Sequence, residues 1–474
     1  MTDNSIAIMW YRQDLRTHDN PALALAQQHP NILPIYIFDA EHSSGMPMGS
    51  ASKVYLHHAL KALNDKLNGK LNLYSGDYLT VISNLIAKHN ISAIYSNIGF
   101  EPAVMTADEH IKAHCSANNI IFAQENGCFI WHPQSVLKDA TEHYKVFTPF
   151  KKKAFTTPVR ALAPAPRLDN LISDEGAETL DQLSLLPGHK WQDTLIKTWN
   201  FGEDAAMKKV ETFIQTRLSG YKEGRNLPGI DHTSMISANL HFGELSPTWV
   251  WHAASVQGPQ YANDRDIEHY LSELTWREFS TYLLYYFNGL ASENFNPRFD
   301  AFPWAENNEL LRKWQLGQTG IPIVDAGMRQ LYQTGYMHNR VRMITASFLV
   351  KNLMLHWRHG FDWFWDCLVD ADYANNAASW QWVAGSGADA APYFRIFNPI
   401  LQGQKFDPDG TYTRKYVPEL KLMPKEFLFK PWEAPLLVLQ AAEVNLGGNY
   451  PNPIVDLAKS RDSALNAYSK IKKA

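Results

Sequence analysis

The chain of 474 residues contains few cysteines, and the three present, Cys115, Cys128 and Cys367, are scattered. An odd number without paired spacing argues against a disulfide framework and against a cysteine-based metal site. Long hydrophobic runs are also missing, because Lys, Asp, His or Arg interrupts every candidate for a membrane span. Residues 1–16 lack the charged and apolar regions of a signal peptide. We therefore expect a cytoplasmic protein without a membrane partner.

The chain also has little excess charge, with 44 Lys and Arg against 48 Asp and Glu and a net charge of −4. The molecule is no polycation, so any nucleic-acid site must be a local basic patch. Hydrophobic residues make up 45% of the chain and charged residues 19%. These fractions are typical of a globular protein with a buried core, and they exclude a disordered or fibrous chain.

Aromatic residues, in contrast, are abundant, at 12% of the chain with 15 tryptophans. Tryptophan is costly to bury unless its indole N–H finds a hydrogen-bond partner. So many tryptophans therefore call for a reason beyond ordinary core packing.

Short apolar segments alternate with helical segments through residues 1–130, which predicts an α/β domain with a doubly wound parallel, Rossmann-like sheet. Such sheets bind ligands at the carboxyl ends of their strands. The expected strands are residues 6–11, 32–38, 71–74, 93–95 and 120–123, and the expected helices are residues 21–29, 54–67, 79–88 and 105–116.

Residues 131–200 are rich in Pro, Ser and Asp, and we interpret them as a long inter-domain connector. Pro158, Pro164, Pro166 and Pro187 are expected to break any regular element there. Residues 201–474 then predict a larger, all-helical domain. Its expected helices are residues 205–218, 247–254, 264–287, 307–314, 323–335 and 340–359.

Two motifs resemble binding sites but lack the required context. Residues 385–390 fit a loose dinucleotide-binding pattern, yet they do not follow the first strand of a βαβ unit. His110 and His114 are four residues apart on a predicted helix, but Ile111 replaces the glutamate of a metalloprotease motif. We expect no metal site.

Polar residues are instead concentrated within aromatic, helical segments at 273–279, 337–343 and 370–376. In an ordinary core these groups would lack hydrogen bonds, so a polar ligand is the physical alternative. Together with residues 10–20, 380–382 and 391–399, these segments resemble the DNA photolyase/cryptochrome family, most closely the bacterial photolyases of cyclobutane pyrimidine dimers. The resemblance extends over nearly the whole chain.

The resemblance implies that the helical domain binds FAD in a folded conformation and that the active form is reduced, FADH⁻. The positions that match the family's FAD contacts are Tyr221, Thr233, Ser234, Met235, Ile236, Ser237, Arg342, Asp370, Ala371, Asp372 and Asn376. Hydroxyl groups and backbone N–H groups at a helix start suit a pyrophosphate. The alternative interpretations are an ordinary helix N-cap for the Thr-Ser pair, a structural salt bridge between Arg342 and Asp370, and a helix-end cap for Asn376.

Trp304, Trp357 and Trp380 match the family's chain of tryptophans, which passes an electron from the surface to the flavin. Indole is readily oxidised, so closely spaced rings can serve as electron carriers. From composition alone, all three would be interpreted as core residues.

A flipped-out lesion would be bound by a pocket of aromatic and polar side chains. Trp276 and Trp382 match the pocket aromatics, Glu273 and Asn339 match the groups that contact the pyrimidine edges, and Met343 matches the apolar floor. The positions at or near the family's DNA contacts are Arg225, Glu273, Trp276, Arg277, Asn339, Arg340, Arg342 and Gln402. Each arginine suits phosphate, and its alternative role is a solvated surface ion pair.

The function implied by the resemblance is light-driven repair of cyclobutane dimers in single- or double-stranded UV-damaged DNA, by a monomer without an obligate protein partner. Relatives that repair (6-4) photoproducts carry histidines where this chain has Asn339 and Met343. Two alternatives stay open, a cryptochrome-type blue-light receptor without repair activity and a dark flavoprotein oxidoreductase. The chain ends soon after Pro453 without a long tail, and Asn376 stands where plant cryptochromes often have Asp. Both observations favour repair.

An antenna chromophore is expected in the α/β domain, and the sequence leaves its identity open between methenyltetrahydrofolate and a deazaflavin, or no antenna. Ala103 and Val104 stand where folate-binding relatives have an Asn-Glu pair. Asp39 and Glu41 follow a predicted strand, where a ligand could bind, but we interpret them as loop residues.

Overall fold

The structure is a computed structural model that describes residues 5–40, 46–139, 142–390 and 395–473. Glu41 and residues 391–394 of the family-like segment lie outside the described residues. By its packing, the chain divides into two compact units. The sheet unit comprises Met1–Ser219, Ser234–Asn288 and Val369–Tyr373, and the helical unit comprises Gly220–Thr233, Gly289–Leu368 and Ala374–Ala474. The three-part division at residues 130 and 200 remains a prediction.

A five-stranded parallel sheet forms the core of the sheet unit, with the strand order β3-β2-β1-β4-β5. The strands are β1 (Ile6–Tyr11), β2 (Asn31–Phe38), β3 (Asn72–Ser75), β4 (Ile91–Asn97) and β5 (Ile121–Glu125). In the register between β1 and β2, Ile6 lies opposite Asn31 at one end and Tyr11 lies opposite Tyr36 at the other. Helices cover both faces, which explains the nearly continuous apolar strands. The predicted doubly wound α/β fold is confirmed.

The sheet unit also contains helices, and several of them begin at a residue whose side chain caps the helix. The Asn20 side chain accepts a hydrogen bond from the backbone N–H of Leu23, and Asp77 does the same for Thr80. These helices are α1 (Pro21–Ala26), α2 (Ser50–Lys66), α3 (Tyr78–Lys88), α4 (Pro102–Ala117), α5 (Phe147–Thr156), α6 (Trp191–Thr198), α7 (Glu203–Thr216), α9 (Ser237–His241), α10 (Pro247–Gln257) and α11 (Asp264–Tyr286).

The described part of the helical unit consists mainly of helices. They are α8 (Tyr221–Gly224), α12 (Asn308–Gln315), α13 (Pro322–Thr334), α14 (Asn339–Ser347), α15 (Trp357–Cys367), α16 (Tyr373–Ala384), α17 (Pro399–Phe406), α18 (Thr411–Tyr416), α19 (Leu436–Ala441) and α20 (Leu457–Lys473). Across the part of the chain that the structure describes, no helix combines the length and the apolar character that a membrane crossing requires.

The prediction that the connector contains no regular element is wrong. Helices α5 and α6 lie within residues 131–200. The prolines expected to break structure, such as Pro158 and Pro187, lie outside both helices. Pro149 sits in the first turn of α5, where a missing backbone N–H breaks no helical hydrogen bond. Phe147, Phe150 and Ala154 then give α5 a buried face.

The single helix predicted over residues 340–359 is also wrong. Helix α14 passes into a π-helical turn, Phe348–Asn352, and the chain then leaves helical geometry at Met354, whose φ of 54° is left-handed. Helix α15 starts afresh because the His356 side chain accepts a hydrogen bond from the backbone N–H of Arg358 at 3.2 Å. Apolar periodicity does not reveal such a break, because both helices are buried. The interruption places Trp357 at the start of a new helix.

Candidate active site

The segment that resembles the family's N-terminal signature forms a hydrogen-bonded scaffold at the carboxyl end of β1. The Arg12 Nη1 atom lies 2.8 Å from the Asp108 carboxylate. Arg16 is fully buried, and its guanidinium donates to the backbone carbonyls of Asp19 at 3.0 Å and Gly127 at 2.6 Å. The two arginines thus have their partners inside the sheet unit. The polar residues of this segment therefore have a structural role.

Helix α11 of the sheet unit places Glu273, Trp276 and Arg277 on one face, because residues three and four apart are neighbours on a helix. The Trp276 ring stacks on Phe147 of α5, with ring centroids 3.6 Å apart and an interplanar angle of 8°. The Glu273 side chain is 27% exposed and lies 3.7 Å from His269 Nε2. A carboxylate and a fixed aromatic ring therefore sit side by side on this face.

Arg277 is tied into a buried ion pair. Its Nη1 lies 3.1 Å from Glu278 Oε1, and its guanidinium lies 4.9 Å from the centre of the Phe129 ring. Glu278 also accepts the backbone N–H of Ile130 at 3.0 Å and of Trp131 at 3.3 Å. Burial raises the pKa of Glu278 to about 7. The structure thus places Arg277 in a pair with Glu278, and its DNA contact stays a prediction.

Helix α14 of the helical unit begins with the predicted contact residues. The His338 ring caps the helix by accepting the backbone N–H of Arg340 at 3.2 Å, and Asn339 is exposed next to it. Burial lowers the pKa of His338 to about 3, and the positive charges of Arg225, Arg340 and Arg342 lower it further. These three arginines form the local basic patch that a nearly neutral chain needs for nucleic acid.

Arg340 of this patch also contacts three neighbouring side chains. Arg340 donates to Asn226 Oδ1 at 2.5 Å, lies 4.3 Å from the Phe406 ring centre and approaches Met343 Sδ at 3.8 Å. Helix α17, which ends at Phe406, carries the half-buried Gln402. The structure therefore brings Arg340 and Met343 together.

Trp382 lies on α16 of the same unit and is held by its indole N–H, which donates to the backbone carbonyl of Asp389 at 3.1 Å. The ring itself is half-buried. A fixed ring with a partly exposed surface suits a stacking partner.

On the sheet unit, the predicted flavin contact Asp372 lies near a buried histidine. His241 Nδ1 is buried and makes no hydrogen bond within the described residues, and it lies 3.8 Å from Asp372 Oδ2. Burial raises the pKa of Glu101 to about 8, and the charge of Asp372 adds to this shift. Met235, in the run from Ser234 to Ser237, has a left-handed φ of 53°, and Lys209 Nζ donates to its carbonyl at 3.3 Å.

On the helical unit, Asn376 shows one open polar atom. Its Nδ2 donates to the Phe361 carbonyl at 3.1 Å, while its Oδ1 accepts no hydrogen bond from the described residues. Arg342 Nε donates to the Met337 carbonyl at 2.7 Å, and Tyr221 is buried. The expected pairing of Arg342 with Asp370 joins residues of different units and stays a prediction.

The three predicted electron carriers all lie in the helical unit. The His356 ring lies between two of them, 5.0 Å from the Trp304 ring centre and 5.6 Å from that of Trp357. Trp380 packs on α15 at Gly360, one turn after Trp357, so closely that a Cβ atom on Gly360 would lie 2.0 Å from its ring. Trp357 thus lies on α15, and Trp380 of α16 packs against the same helix.

Comparison with known proteins decides the family. Over 474 residues the chain is 44% identical to the deoxyribodipyrimidine photo-lyase of Agrobacterium fabrum, with 98% of each sequence covered. The chain belongs to the DNA photolyase family. Residues 7–167 match the family model described as DNA photolyase, and residues 270–470 match the FAD binding domain of DNA photolyase.

Solved structures of the family show the same fold. The bacterial class III photolyase of Agrobacterium tumefaciens matches with a TM-score of 0.95 and 41% identity, covering 100% of this chain and 99% of that one. A cryptochrome of Synechocystis matches with a TM-score of 0.89 and 28% identity, covering 98% and 100%. The predicted family, fold, photolyase class of enzyme and FAD cofactor are confirmed. The roles of single residues, the antenna and the monomeric state stay predictions.

Sequence reasoning missed the residues that support the site. Phe147 beneath Trp276, His241 near Asp372, His356 between two tryptophans and Gly360 beside Trp380 were not among the candidates. Each of these residues supports the site through a contact with a residue that is distant in the sequence. The one local signal concerns His356, which stands directly before helix α15 and caps it.

Proposed function

We propose that this chain uses light to split cyclobutane pyrimidine dimers in UV-damaged DNA, and that it does so as a monomer. The observation that carries the proposal is the face of α11, where the Glu273 carboxyl lies next to a Trp276 ring locked by stacking on Phe147. A flat ring suits the apolar surface of a flipped-out dimer, and a carboxyl suits its polar edge. The identity of 44% to a named photo-lyase supports the same conclusion.

The residues described fit the flavin that the family requires. His241 Nδ1 is a buried polar atom in need of a partner, and Asn376 Oδ1 is open to a ligand. When bound, reduced FAD supplies one electron to the dimer after absorbing light and takes it back after the ring has opened. On the helical unit, Asn376 and Arg342 are the residues proposed to hold it. An amide such as Asn376 can face a nitrogen that is protonated or not.

The protein groups in this proposal bind, orient and stabilise charge. The arginines at positions 225, 340 and 342 contact phosphates, which position the DNA without reading its sequence. On the sheet unit, Trp276 offers a ring on which the extruded bases stack. When protonated, Glu273 donates a hydrogen bond at the pyrimidine edge and stabilises the negative charge that develops there.

The proposed lesion type rests on two positions that carry no acid, Asn339 and Met343. Asn339 and Met343 do not titrate near neutral pH, so these two positions offer no acid for a reaction that needs one. His338 precedes them, but burial and three arginines hold its pKa at about 3, and its Nδ1 is used as a helix cap. Splitting a cyclobutane ring needs no acid–base step, and cyclobutane dimers are therefore the proposed substrate.

The decisive experiment mixes purified, FAD-loaded protein with single-stranded DNA that contains dimers, in blue light and in the dark. Restored absorbance of the thymine band in light alone supports repair. As a matched variant, Glu273→Ala should slow splitting and retain the flavin. Loss of the flavin would show that this residue has been misassigned.

A cryptochrome-type receptor is the second candidate, since the Synechocystis cryptochrome superposes with a TM-score of 0.89. It predicts photoreduction of the flavin without any loss of dimers. The same irradiated samples distinguish the two functions.

A further inference from the structure

The middle tryptophan of the three carriers has a hydrogen-bond partner that the mechanism has not used. The fully buried Trp357 donates its indole N–H to Asn294 Oδ1 at 2.9 Å. The Asn294 amide N–H in turn donates to the Asp300 carboxylate at 2.7 Å. Indole, amide and carboxylate thus form a line that leads outward from the buried ring, since Asp300 is exposed.

The outer tryptophan differs. Trp304 Nε1 is buried and has no hydrogen-bond partner within the part of the chain that the structure describes. The two rings are therefore held in unlike polar surroundings, although a single His356 ring separates them. Burial lowers the pKa of His356 to about 4, so this ring is neutral near pH 7 and does not repel a positive charge on either neighbour.

The chemistry of an oxidised indole gives the line a purpose. A tryptophan that loses one electron becomes a cation radical, whose N–H is far more acidic than that of the neutral ring. An amide oxygen accepts a hydrogen bond but is not a base at neutral pH, so the proton stays on the indole. The carboxylate behind the amide polarises it and strengthens the hydrogen bond to the positive ring.

We propose that Asn294, oriented by Asp300, is a positioning residue that makes Trp357 easier to oxidise and keeps its proton in place. Trp357 gives one electron to oxidised Trp380 and then takes one from Trp304. It ends neutral with its N–H bond intact, and Trp304 carries the oxidation. The inference rests on the electron path in the proposed function, but it does not depend on which DNA lesion is repaired.

The test uses three variants of the FAD-loaded, full-length protein. Asn294→Leu removes the acceptor. The double exchange Asn294→Asp with Asp300→Asn keeps an acceptor for the indole N–H but makes it a basic carboxylate, and it reverses the second hydrogen bond, which then runs from the amide at position 300 to the carboxylate at position 294. Asn296→Leu is the matched control, because Asn296 is a half-buried amide of the same segment that caps Arg298 and is not among the contacts of Trp357. Transient absorption after a laser flash distinguishes the cation radical of tryptophan from the neutral radical.

For Asn294→Leu, we expect a five- to tenfold fall in the yield of long-lived charge separation, with the flavin content and melting temperature of the Asn296→Leu control. This factor equals about 1–1.4 kcal/mol, the usual worth of one hydrogen bond. For the exchange variant, we expect the neutral radical to form early, because the carboxylate takes the proton.

Wild-type yields in Asn294→Leu, or a cation radical that persists in the exchange variant, would overturn the proposal. So would unchanged photoreduction in Trp357→Phe, since Asn294 acts through that ring. A protein that photoreduces normally but leaves dimers intact would disprove the repair function alone, and the role of Asn294 would stand.

Discussion

Replacement of Gly360 by alanine tests whether Trp380 depends on its close approach to helix α15. A Cβ atom at Gly360 would lie 2.0 Å from Trp380 Cη2 and 2.4 Å from both Cζ2 and Cζ3. Ordinary contact begins at 3.4 Å, so the ring must withdraw by more than an ångström. Trp380 is only 2% exposed, and its neighbours leave it little room to move.

The expected magnitude follows from two opposing effects. Overpacking of a buried site costs about 1–3 kcal/mol. Replacing glycine by alanine inside a helix contributes about 1 kcal/mol in the opposite direction. Because three ring atoms are involved, we expect an overpacking cost in the upper part of that range, about 2–3 kcal/mol. The net loss is then about 1–2 kcal/mol, which lowers the melting temperature of a unit of this size by roughly 2–8 °C.

The assay combines thermal unfolding, followed by circular dichroism, with the rate of flavin photoreduction, which should also fall because Trp380 has moved. Gly289→Ala is the control, since its Cβ meets the end of the flexible Glu293 side chain, which can turn away. A Gly360→Ala protein as stable as the wild type, with an unchanged photoreduction rate, would refute the reasoning.

Three further outcomes are expected. Phe147→Ala should weaken binding of dimer-containing DNA and leave the affinity for undamaged DNA unchanged. The control Phe155→Ala, on the same helix, should bind both DNAs as the wild type does. Equal affinity of the two variants for the lesion would contradict the role of the Phe147 stack. Trp304→Phe should impair photoreduction but spare repair by chemically reduced protein, as flash and repair assays will show. The unfolded chain protonates His338 below about pH 6.5 and the folded chain only near 3, so stability should fall on acidification between these values by up to about 1.4 kcal/mol per pH unit. His338→Asn, which keeps a cap acceptor, should flatten this slope in denaturation curves, and an identical slope would disprove it.

Local sequence was sufficient to predict most of the fold. Apolar runs as in residues 6–11 and capping residues such as Asn20 determine strands and helix starts through contacts between near neighbours, and the structure confirms the parallel sheet. The polar residues within aromatic helices, Glu273 and Asn376 among them, indicated a ligand site because a core cannot leave such groups without partners. That signal, too, is local in the chain.

Only the tertiary structure showed how these residues are supported. The stack of Phe147 on Trp276 joins positions 129 residues apart in the chain, and the hydrogen bond from Trp357 to Asn294 joins positions 63 residues apart. Neither hydrophobic periodicity nor capping contains information about such pairs. The break before Trp357 was hidden for the same reason, because buried helices on both sides of Met354 look continuous in apolar pattern. Residue type and order thus determined which chemistry the protein carries, while long-range packing decided how each reactive side chain is oriented and which partner tunes it.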